Sequence, residues 1–347
     1  MKILLISPLP PPAGGIATWT ELYINSNEVK NNYVQVVDTS VKGNRVGNFV
    51  KKSLKDEIKR TLSIYSEIKN SLSNDKFDIA HFNTSCSKLG MVRDFLCARK
   101  VKGKVKKLII HCHCDTSYMV NGRFAEYFFK KLCKLGDIVF CLNKASQNHI
   151  KEVASKNSII IPNFFDVKAL KNILDKIISE KINTVIFVGH IIKTKGCDDI
   201  IVVAKQLPDI TFKLIGHLSD EIKEMTYTGN VKFVGEMSKE NVIKQMHAAD
   251  VLLFPTHTEG FPYVVLEAMA CGLPVISTPV GAIPDMIGDK GGAYISINDV
   301  NGIIKAIADI QNKDVRAAMS QWNINKVKSS YLTDVVLKRI FSLYEDK

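Results

Sequence analysis

The chain has 347 residues and a hydrophobic fraction of 46%, which predicts two globular domains rather than one. No apolar run reaches the roughly 18 residues that cross a bilayer, so we expect no membrane-spanning helix. The first apolar run has strand length and ends in prolines and glycines, which favours a β-strand over a signal peptide. The eight cysteines lack paired metal spacing and favour reduced thiols in a cytoplasmic protein.

The net charge of +12 is unevenly distributed along the chain. Residues 1–165 contain 26 Lys and Arg against 13 Asp and Glu, whereas the remaining residues contain 21 against 22. A basic face of this kind can meet nucleic acid, anionic lipid or a polyanionic substrate. It can equally be a solvated face that keeps the protein soluble.

Strand-like and helix-like segments alternate through the first half of the chain, which predicts a parallel sheet covered by helices. The predicted strands are residues 2–7, 34–38, 78–82, 107–112, 138–142 and 158–161. The predicted helices include residues 16–25, 49–72, 122–134 and 144–153. Turn-forming residues 162–166 then interrupt the pattern, before a short helix over residues 168–178.

The second half repeats the alternation. Its predicted strands are residues 184–189, 212–216, 231–234, 251–255 and 274–278. Its predicted helices are residues 197–207, 239–248, 262–271 and 300–310, and the chain reads as helical from residue 313 onward.

This alternation predicts an α/β protein with two doubly wound Rossmann-like domains, at residues 1–165 and 183–312. Residues 166–182 would link them, and residues 313–347 would form a helical segment that packs back toward the first domain. Because such sheets bind ligands outside the carboxyl ends of their strands, we expect the ligand site in a central cleft that both domains face.

The most specific segment covers residues 254–279 and reads FPTHTEGFPYVVLEAMACGLPVISTP. A predicted strand ends at Phe254, and Pro262 stands where a helix begins. Backbone amides at such a helix start suit a diphosphate or sugar hydroxyls. Glu259 lies in the loop and Glu267 in the helix, and carboxylates accept hydrogen bonds from vicinal hydroxyls. A glutamate inside an otherwise apolar helix also needs a partner.

This segment resembles the signature of family 4 glycosyltransferases of the GT-B fold, two glutamates separated by seven residues within E-G-F-P-x-V-x-L-E-A-M-A-x-G-x-P-V-I-x-T. The resemblance implies a retaining, metal-independent transfer from a nucleotide sugar, which is a substrate and not a cofactor. It implies that Glu259 binds the transferred sugar and Glu267 the ribose. The backbone of Gly260, Phe261 and Pro262 would contact the sugar and the diphosphate.

A second segment, residues 185–201, reads VIFVGHIIKTKGCDDII. In the resembling family an arginine and a lysine here neutralise the donor diphosphate as it leaves, and Lys195 with Gly196 matches the lysine and its glycine. His190 occupies the arginine position, which is a departure from the pattern. A protonated His190, or Lys193, would then have to supply the missing charge.

Two strand ends of the first half complete the predicted site. Gly14 and Gly15 follow the first strand and let backbone amides approach an anion, and by resemblance they face the donor diphosphate and the acceptor. His113 follows the strand over residues 107–112 and by resemblance contributes to catalysis beside the transferred sugar. His111 and His113 alternate with Cys112 and Cys114 along a strand, which places them on opposite faces and argues against a metal site.

The sequence therefore predicts a glycosyltransferase that moves a sugar, preferably from a UDP-sugar, to a hydroxyl of a glycan acceptor. The basic first half suggests a lipid-linked acceptor at the inner face of the cell membrane, in bacterial surface polysaccharide synthesis. The alternatives are a nucleotide-sugar epimerase or a phosphorylase of the same architecture. A nucleic-acid-binding module is a weaker alternative, because the basic half lacks a recognised motif and the second half is near neutral.

Overall fold

The computed structural model describes residues 1–12, 14–41, 54–166, 168–169 and 176–346. The chain divides into two compact units, the first formed by Met1–Asn163 with Thr333–Lys347 and the second by Phe164–Leu332. Each unit contains its own six-stranded parallel sheet. The domain boundaries predicted from the sequence, residues 1–165 and 183–312, remain predictions.

The sheet of the first unit has the strand order β2-β1-β3-β4-β5-β6, and all its paired strands are parallel. Its strands are β1 Lys2–Ser7, β2 Tyr33–Asp38, β3 Ile79–Thr84, β4 Lys107–Cys112, β5 Ile138–Cys141 and β6 Ile159–Ile160. Its helices are Gly15–Ile24, Leu54–Asn74, Lys88–Val101, Thr116–Met119, Arg123–Leu135, Lys144–Ala154 and Thr333–Glu345. The order reverses between β1 and β3, so the loops after these two strands diverge and leave a crevice.

The last helix, Thr333–Glu345, packs on the first unit. The hydroxyl of Tyr344 lies 2.5 Å from Nδ1 of His81, a buried residue of β3. At the start of β4, Lys107 donates from Nζ to the carbonyl oxygen of Leu343 at 3.0 Å. These contacts satisfy polar groups that would otherwise be costly to bury.

The sheet of the second unit has the order β12-β11-β10-β7-β8-β9, again with parallel pairs only. Its strands are β7 Thr184–Val188, β8 Thr211–Ile215, β9 Val231–Gly235, β10 Val251–Phe254, β11 Val275–Ser277 and β12 Gly292–Tyr294. Its helices are Cys197–Gln206, Asp220–Lys223, Lys239–Ala248, Tyr263–Ala270, Ile283–Ile287, Val300–Asp309 and Lys313–Ser330, with a 3₁₀ turn at Lys193–Lys195. The prediction of two doubly wound parallel sheets is confirmed.

The structure corrects several details of the predicted elements. Pro262 is the N-cap of the helix Tyr263–Ala270, with φ −73° and ψ 120°, and not its first helical residue. The continuous C-terminal helical segment is in fact two helices, because the chain leaves the helical conformation at Tyr331 and Leu332. Residues 49–53 and 170–175 of two predicted helices lie outside the described residues, as do Lys51 and Lys52.

All eight cysteines carry free thiols. Across the described ranges, no helix is both long enough and apolar enough to span a bilayer. In the same part of the chain, no cluster of three or more His, Cys, Asp or Glu side chains has the arrangement of a metal site.

Arg316 joins the C-terminal helix of the second unit to the edge of its sheet. Its side chain is 1% exposed, and Nε donates to the carbonyl oxygen of Ile310 at 3.0 Å. A terminal nitrogen donates to the carbonyl oxygens of Ser179 and Glu180, at 2.9 and 3.2 Å. One buried guanidinium thus satisfies carbonyl groups from two segments that precede and follow the sheet.

We expect Arg316→Met to destabilise the second unit by about 2 to 4 kcal/mol, because it removes the donor from several buried carbonyl groups. Lys313→Met is the matched control, since Lys313 makes only an exposed ion pair with Glu180 and its loss should change the stability far less. Calorimetric unfolding of both variants checks this. Equal losses of stability in the two variants would contradict the role given to Arg316.

Candidate functional site

The loop that follows β10 is held in place by the loop that follows β11. The carbonyl oxygen of Gly260 accepts from the amide of Ala282 at 2.9 Å, and Ser277 Oγ donates to the carbonyl oxygen of Phe254 at 2.6 Å. Gly281 has φ +58°, and a Cβ there would lie 2.1 Å from the carbonyl oxygen of Glu259. Only glycine therefore permits this approach. Sequence reasoning missed Gly281, although its place in a turn just after a buried strand was visible.

Lys195 and Glu259, from two separate predicted segments, meet in the structure. Lys195 Nζ lies 2.5 Å from Glu259 Oε1, and the two side chains are only 25% and 17% exposed. Gly196 follows Lys195 with φ +69°, and a Cβ there would lie 2.3 Å from the carbonyl oxygen of Pro255. Gly196 thus lets the turn at Lys193–Lys195 close against the loop after β10, which brings the ammonium to the carboxylate.

Glu267 lies one helical turn beyond Tyr263 on the helix Tyr263–Ala270, with its side chain 12% exposed. Burial raises the pKa of the Glu267 carboxyl, and the ammonium of Lys239, 3.4 Å away, partly opposes this. The hydroxyl of Tyr263 is buried and has no hydrogen-bond partner among the described residues. Glu267 and Tyr263 thus offer a carboxylate and a hydroxyl that can form further hydrogen bonds. Sequence reasoning missed Lys239 and the hydroxyl of Tyr263, although it expected a free amide at Tyr263.

Further buried polar atoms of the second unit lack a partner among the described atoms, and they lie in loops or first helical turns that follow strands of its sheet. They are Asp198 Oδ1, Asp199 Oδ2, Ser219 Oγ and His257 Nε2. All four residues follow the carboxyl ends of β7, β8 or β10. Each such atom costs about 1 to 3 kcal/mol while unsatisfied. A polar ligand at this edge of the sheet would supply the missing partners.

His190 follows β7 and is exposed. Its pKa is lowered from 6.5, first by burial of part of the ring and then by the positive charges of His217 and Lys195, against which Glu236 acts. The imidazole is therefore neutral at neutral pH in the ligand-free protein. A protonated His190 requires an added negative charge beside it.

In the first unit, His113 is oriented by a chain of hydrogen bonds. Thr20 Oγ1 donates to the carbonyl oxygen of Ile16, so Ser7 Oγ donates to Thr20, at 2.5 Å. Asn83 Nδ2 donates to Ser7 Oγ at 2.9 Å, which leaves Asn83 Oδ1 to accept from His113 Nε2 at 3.0 Å. This direction places the proton of His113 on Nε2.

The charge state of His113 follows from its surroundings. Burial, together with the neighbouring His81, holds the pKa of His113 well below its usual value. His113 is therefore a neutral imidazole with a lone pair on Nδ1. Asn83, which the sequence did not single out, is the residue that fixes this tautomer.

Gly14 and Gly15 line a cavity of about 250 Å³ at the crevice between β1 and β3. Gly14 is the N-cap of the helix Gly15–Ile24 and offers no side-chain acceptor to the first helical amides. Arg60 and Arg93 line the same cavity, which we call the arginine cavity. No carboxylate is among the described residues that line it. The two arginines were not predicted, because they lie 45 and 78 residues after Gly15 and only the sheet order brings them there.

Residues 168–326 match the family model of the glycosyl transferases group 1. An uncharacterized glycosyltransferase of Methanocaldococcus jannaschii is 26% identical over 292 residues, which are 82% of this chain and 80% of the relative. An uncharacterized 41.2 kDa protein in the cps region of Klebsiella pneumoniae is 27% identical over 261 residues, 70% of this chain and 72% of the relative.

Solved structures show the same fold. Sucrose-phosphate synthase from Thermosynechococcus elongatus matches with a TM-score of 0.78 and 17% identity, over 99% of this chain and 98% of that one. Anabaena HepE in complex with UDP-glucose matches with a TM-score of 0.73 and 16% identity, over 99% of both chains. These comparisons support a glycosyltransferase of the GT-B fold. The glycosyltransferase family model covers the second unit, in which Lys195, Glu259 and Glu267 lie.

Proposed function

We propose that the chain is a retaining, family 4 glycosyltransferase that moves a sugar from a UDP-sugar to a hydroxyl of a glycan acceptor. The observation that carries the proposal is the contact of Lys195 with Glu259 beside the start of the helix Tyr263–Ala270. A cation, a hydroxyl-binding carboxylate and a helix N-terminus thus share one edge of one sheet. A nucleotide sugar presents the complementary groups, a diphosphate and a sugar.

The positive groups of the second unit suit the diphosphate. Lys195 would leave Glu259 for the phosphate oxygens, and the amides at the helix start after Pro262 would add the positive end of a helix dipole. His190 would gain a proton when the diphosphate arrives, because a nearby anion favours the charged imidazole. Together these groups would stabilise the nucleoside diphosphate as it leaves, without a metal ion.

The carboxylates suit the two sugars of the donor. Glu259, released from Lys195, would accept from hydroxyls of the transferred sugar together with the Gly260 and Phe261 backbone. Glu267 would accept from the ribose hydroxyls, and its raised pKa reflects a buried carboxylate that lacks these donors. Binding of the donor would therefore exchange one internal ion pair for two sets of ligand contacts.

In the proposed reaction the bond between the anomeric carbon and the diphosphate oxygen breaks. The acceptor oxygen forms a bond to the same face of that carbon, and its proton passes to the departing phosphate oxygen. Gly14, Gly15 and His113 keep the roles that the family resemblance implies, toward the diphosphate and the transferred sugar. A neutral His113 can accept a hydrogen bond at Nδ1 without placing a positive charge beside the reacting carbon.

The relatives bear on the substrates. The Anabaena neighbour in complex with UDP-glucose supports UDP as the donor nucleotide. The Klebsiella relative from a cps region supports a role in surface polysaccharide assembly. The excess of basic residues in residues 1–165 supports a lipid-linked acceptor and a peripheral position at the inner face of the membrane.

We expect UDP-sugars to raise the thermal unfolding temperature, and Glu267→Gln to weaken their binding by about tenfold, because a charge-assisted hydrogen bond to the ribose is lost. Glu240→Gln is the matched control, since Glu240 is exposed and pairs with Lys244 on a helix surface. Titration calorimetry with UDP-, GDP- and ADP-glucose and with UDP-N-acetylglucosamine measures the affinities. Stabilisation by none of these nucleotide sugars would rule out the proposed function.

Binding of a UDP-sugar should weaken as pH rises from 6 to 8. The pKa of His190 lies below 6.5 in the free protein and should rise in the complex, so donor binding is accompanied by proton uptake at His190, which becomes less favourable at higher pH. His190→Arg should remove this pH dependence, because its charge is permanent. Calorimetry in two buffers of different ionisation enthalpy measures the proton uptake. The same pH dependence in wild type and His190→Arg would exclude His190 as its source.

A further inference from the structure

An apolar groove runs along the surface of the first unit. Its volume is about 400 Å³, and its apolar walls come from two helices and the start of a third. The residues that define this apolar groove are Ile58, Leu62, Leu89, Val92, Leu96 and Phe124. Leu89, Val92 and Leu96 are spaced by three and four residues, so they form one stripe along the helix Lys88–Val101.

This stripe faces outward. Five of the six side chains are 42% to 64% exposed. A surface helix normally turns polar residues to solvent, and clustered exposed apolar side chains mark a binding site. The groove therefore has the character of a site for an apolar ligand.

Charged side chains also line the apolar groove. Arg93 and Glu57 both contribute to its walls, and Arg93 lines the arginine cavity as well. An apolar surface beside a cation complements a molecule that has both a hydrocarbon part and a negative charge.

The apolar groove adjoins the arginine cavity, because Arg93 lines both. Arg93 donates from Nε to Asp94 Oδ1 at 2.8 Å and lies 3.4 Å from Glu57 Oε1. Glu57 also pairs with Arg60 at 3.1 Å. Arg60 also donates from Nε to the carbonyl oxygen of Thr39 at 3.1 Å, and a terminal nitrogen of Arg93 lies 2.7 Å from Asp94 Oδ1. These contacts fix both guanidiniums in the wall of the cavity, and each guanidinium still has N–H donors that they do not occupy.

We propose that the apolar groove binds the hydrocarbon chain of a lipid-linked acceptor whose phosphate lies in the arginine cavity. The phosphate would accept from Arg60 and Arg93. The chain would pass Arg93 and lie along the stripe from Leu89 to Leu96, which extends about 10 Å. This inference rests on the proposed function, since it names the acceptor class of that enzyme.

One amphiphilic molecule explains both sites better than a protein partner does. The arginine cavity is concave and polar, the groove is apolar, and Arg93 lines both. A protein surface would need to place an anionic group and an apolar strip in this order. A lipid phosphate has that order in its covalent structure.

Farnesyl phosphate, kept below its micellar concentration, tests the proposal by titration calorimetry with the full chain. It should bind at least about tenfold more tightly than either farnesol or inorganic phosphate, because each of these lacks one half of the ligand. Leu62→Asp and Leu96→Asp should each weaken farnesyl phosphate binding by about tenfold or more, because a carboxylate enters the groove. Leu62→Ser repeats the test with a smaller disturbance should an aspartate variant fail to fold.

Val315→Asp is the control, an exposed apolar residue on a helix of the second unit, and should leave farnesyl phosphate binding unchanged. Equal affinity in wild type and in the folded groove variants would overturn the proposal. So would loss of binding to phosphatidylglycerol vesicles without loss of binding to monomeric farnesyl phosphate, since the groove would then contact a bilayer and not a single chain. Titration of the wild type with nucleotide sugars tests the proposed function independently of ligand binding in the groove.

Discussion

The ion pair between Lys195 and Glu259 is the contact on which the proposed donor site depends. It joins the loop after β7 to the loop after β10, and both loops are shaped by glycines that admit no side chain, Gly196 and Gly281. The parallel pairing of β7 with β10 places both loops at one edge of the sheet, and the glycines let them approach closely enough for the ammonium to reach the carboxylate. The pair also keeps both charges compensated while no ligand is bound, which lowers the cost of holding them partly buried.

The candidate site residues of the two units differ in how far their hydrogen bonds are already formed. In the second unit, polar atoms of Tyr263, Ser219 and His257 are buried without partners among the described atoms, so the fold stores hydrogen-bonding capacity that a ligand can satisfy. In the first unit, His113 is already fixed by Asn83 in one neutral tautomer. The polar groups of the second unit can thus form new hydrogen bonds with a donor, whereas His113 is already preorganised.

Sequence reasoning predicted the two parallel sheets and most of their strands, because buried parallel strands are short apolar runs between amphipathic helices. It did not name the helix Lys88–Val101 or the strand β12. It also missed the helices Thr116–Met119, Asp220–Lys223 and Ile283–Ile287, which are too short to show a helical period. In the candidate site it predicted Lys195, Glu259 and Glu267 from local patterns. It could not predict Lys239 beside Glu267, or Arg60 beside Arg93, because those proximities depend on packing between helices. The charge of His190 likewise depends on His217 and Lys195, which only the structure places nearby.

The exchange of partners at the Lys195–Glu259 pair is tested most directly by comparing UDP with the UDP-sugar that binds best, in Lys195→Met and Glu259→Gln. We expect Lys195→Met to weaken the binding of both ligands. Glu259→Gln should weaken binding of the UDP-sugar and leave UDP binding unchanged or tighter, because Lys195 no longer has to leave a carboxylate. Calorimetric dissociation constants give the four comparisons. Equal weakening of UDP and UDP-sugar by Glu259→Gln would contradict the assignment of Glu259 to the transferred sugar.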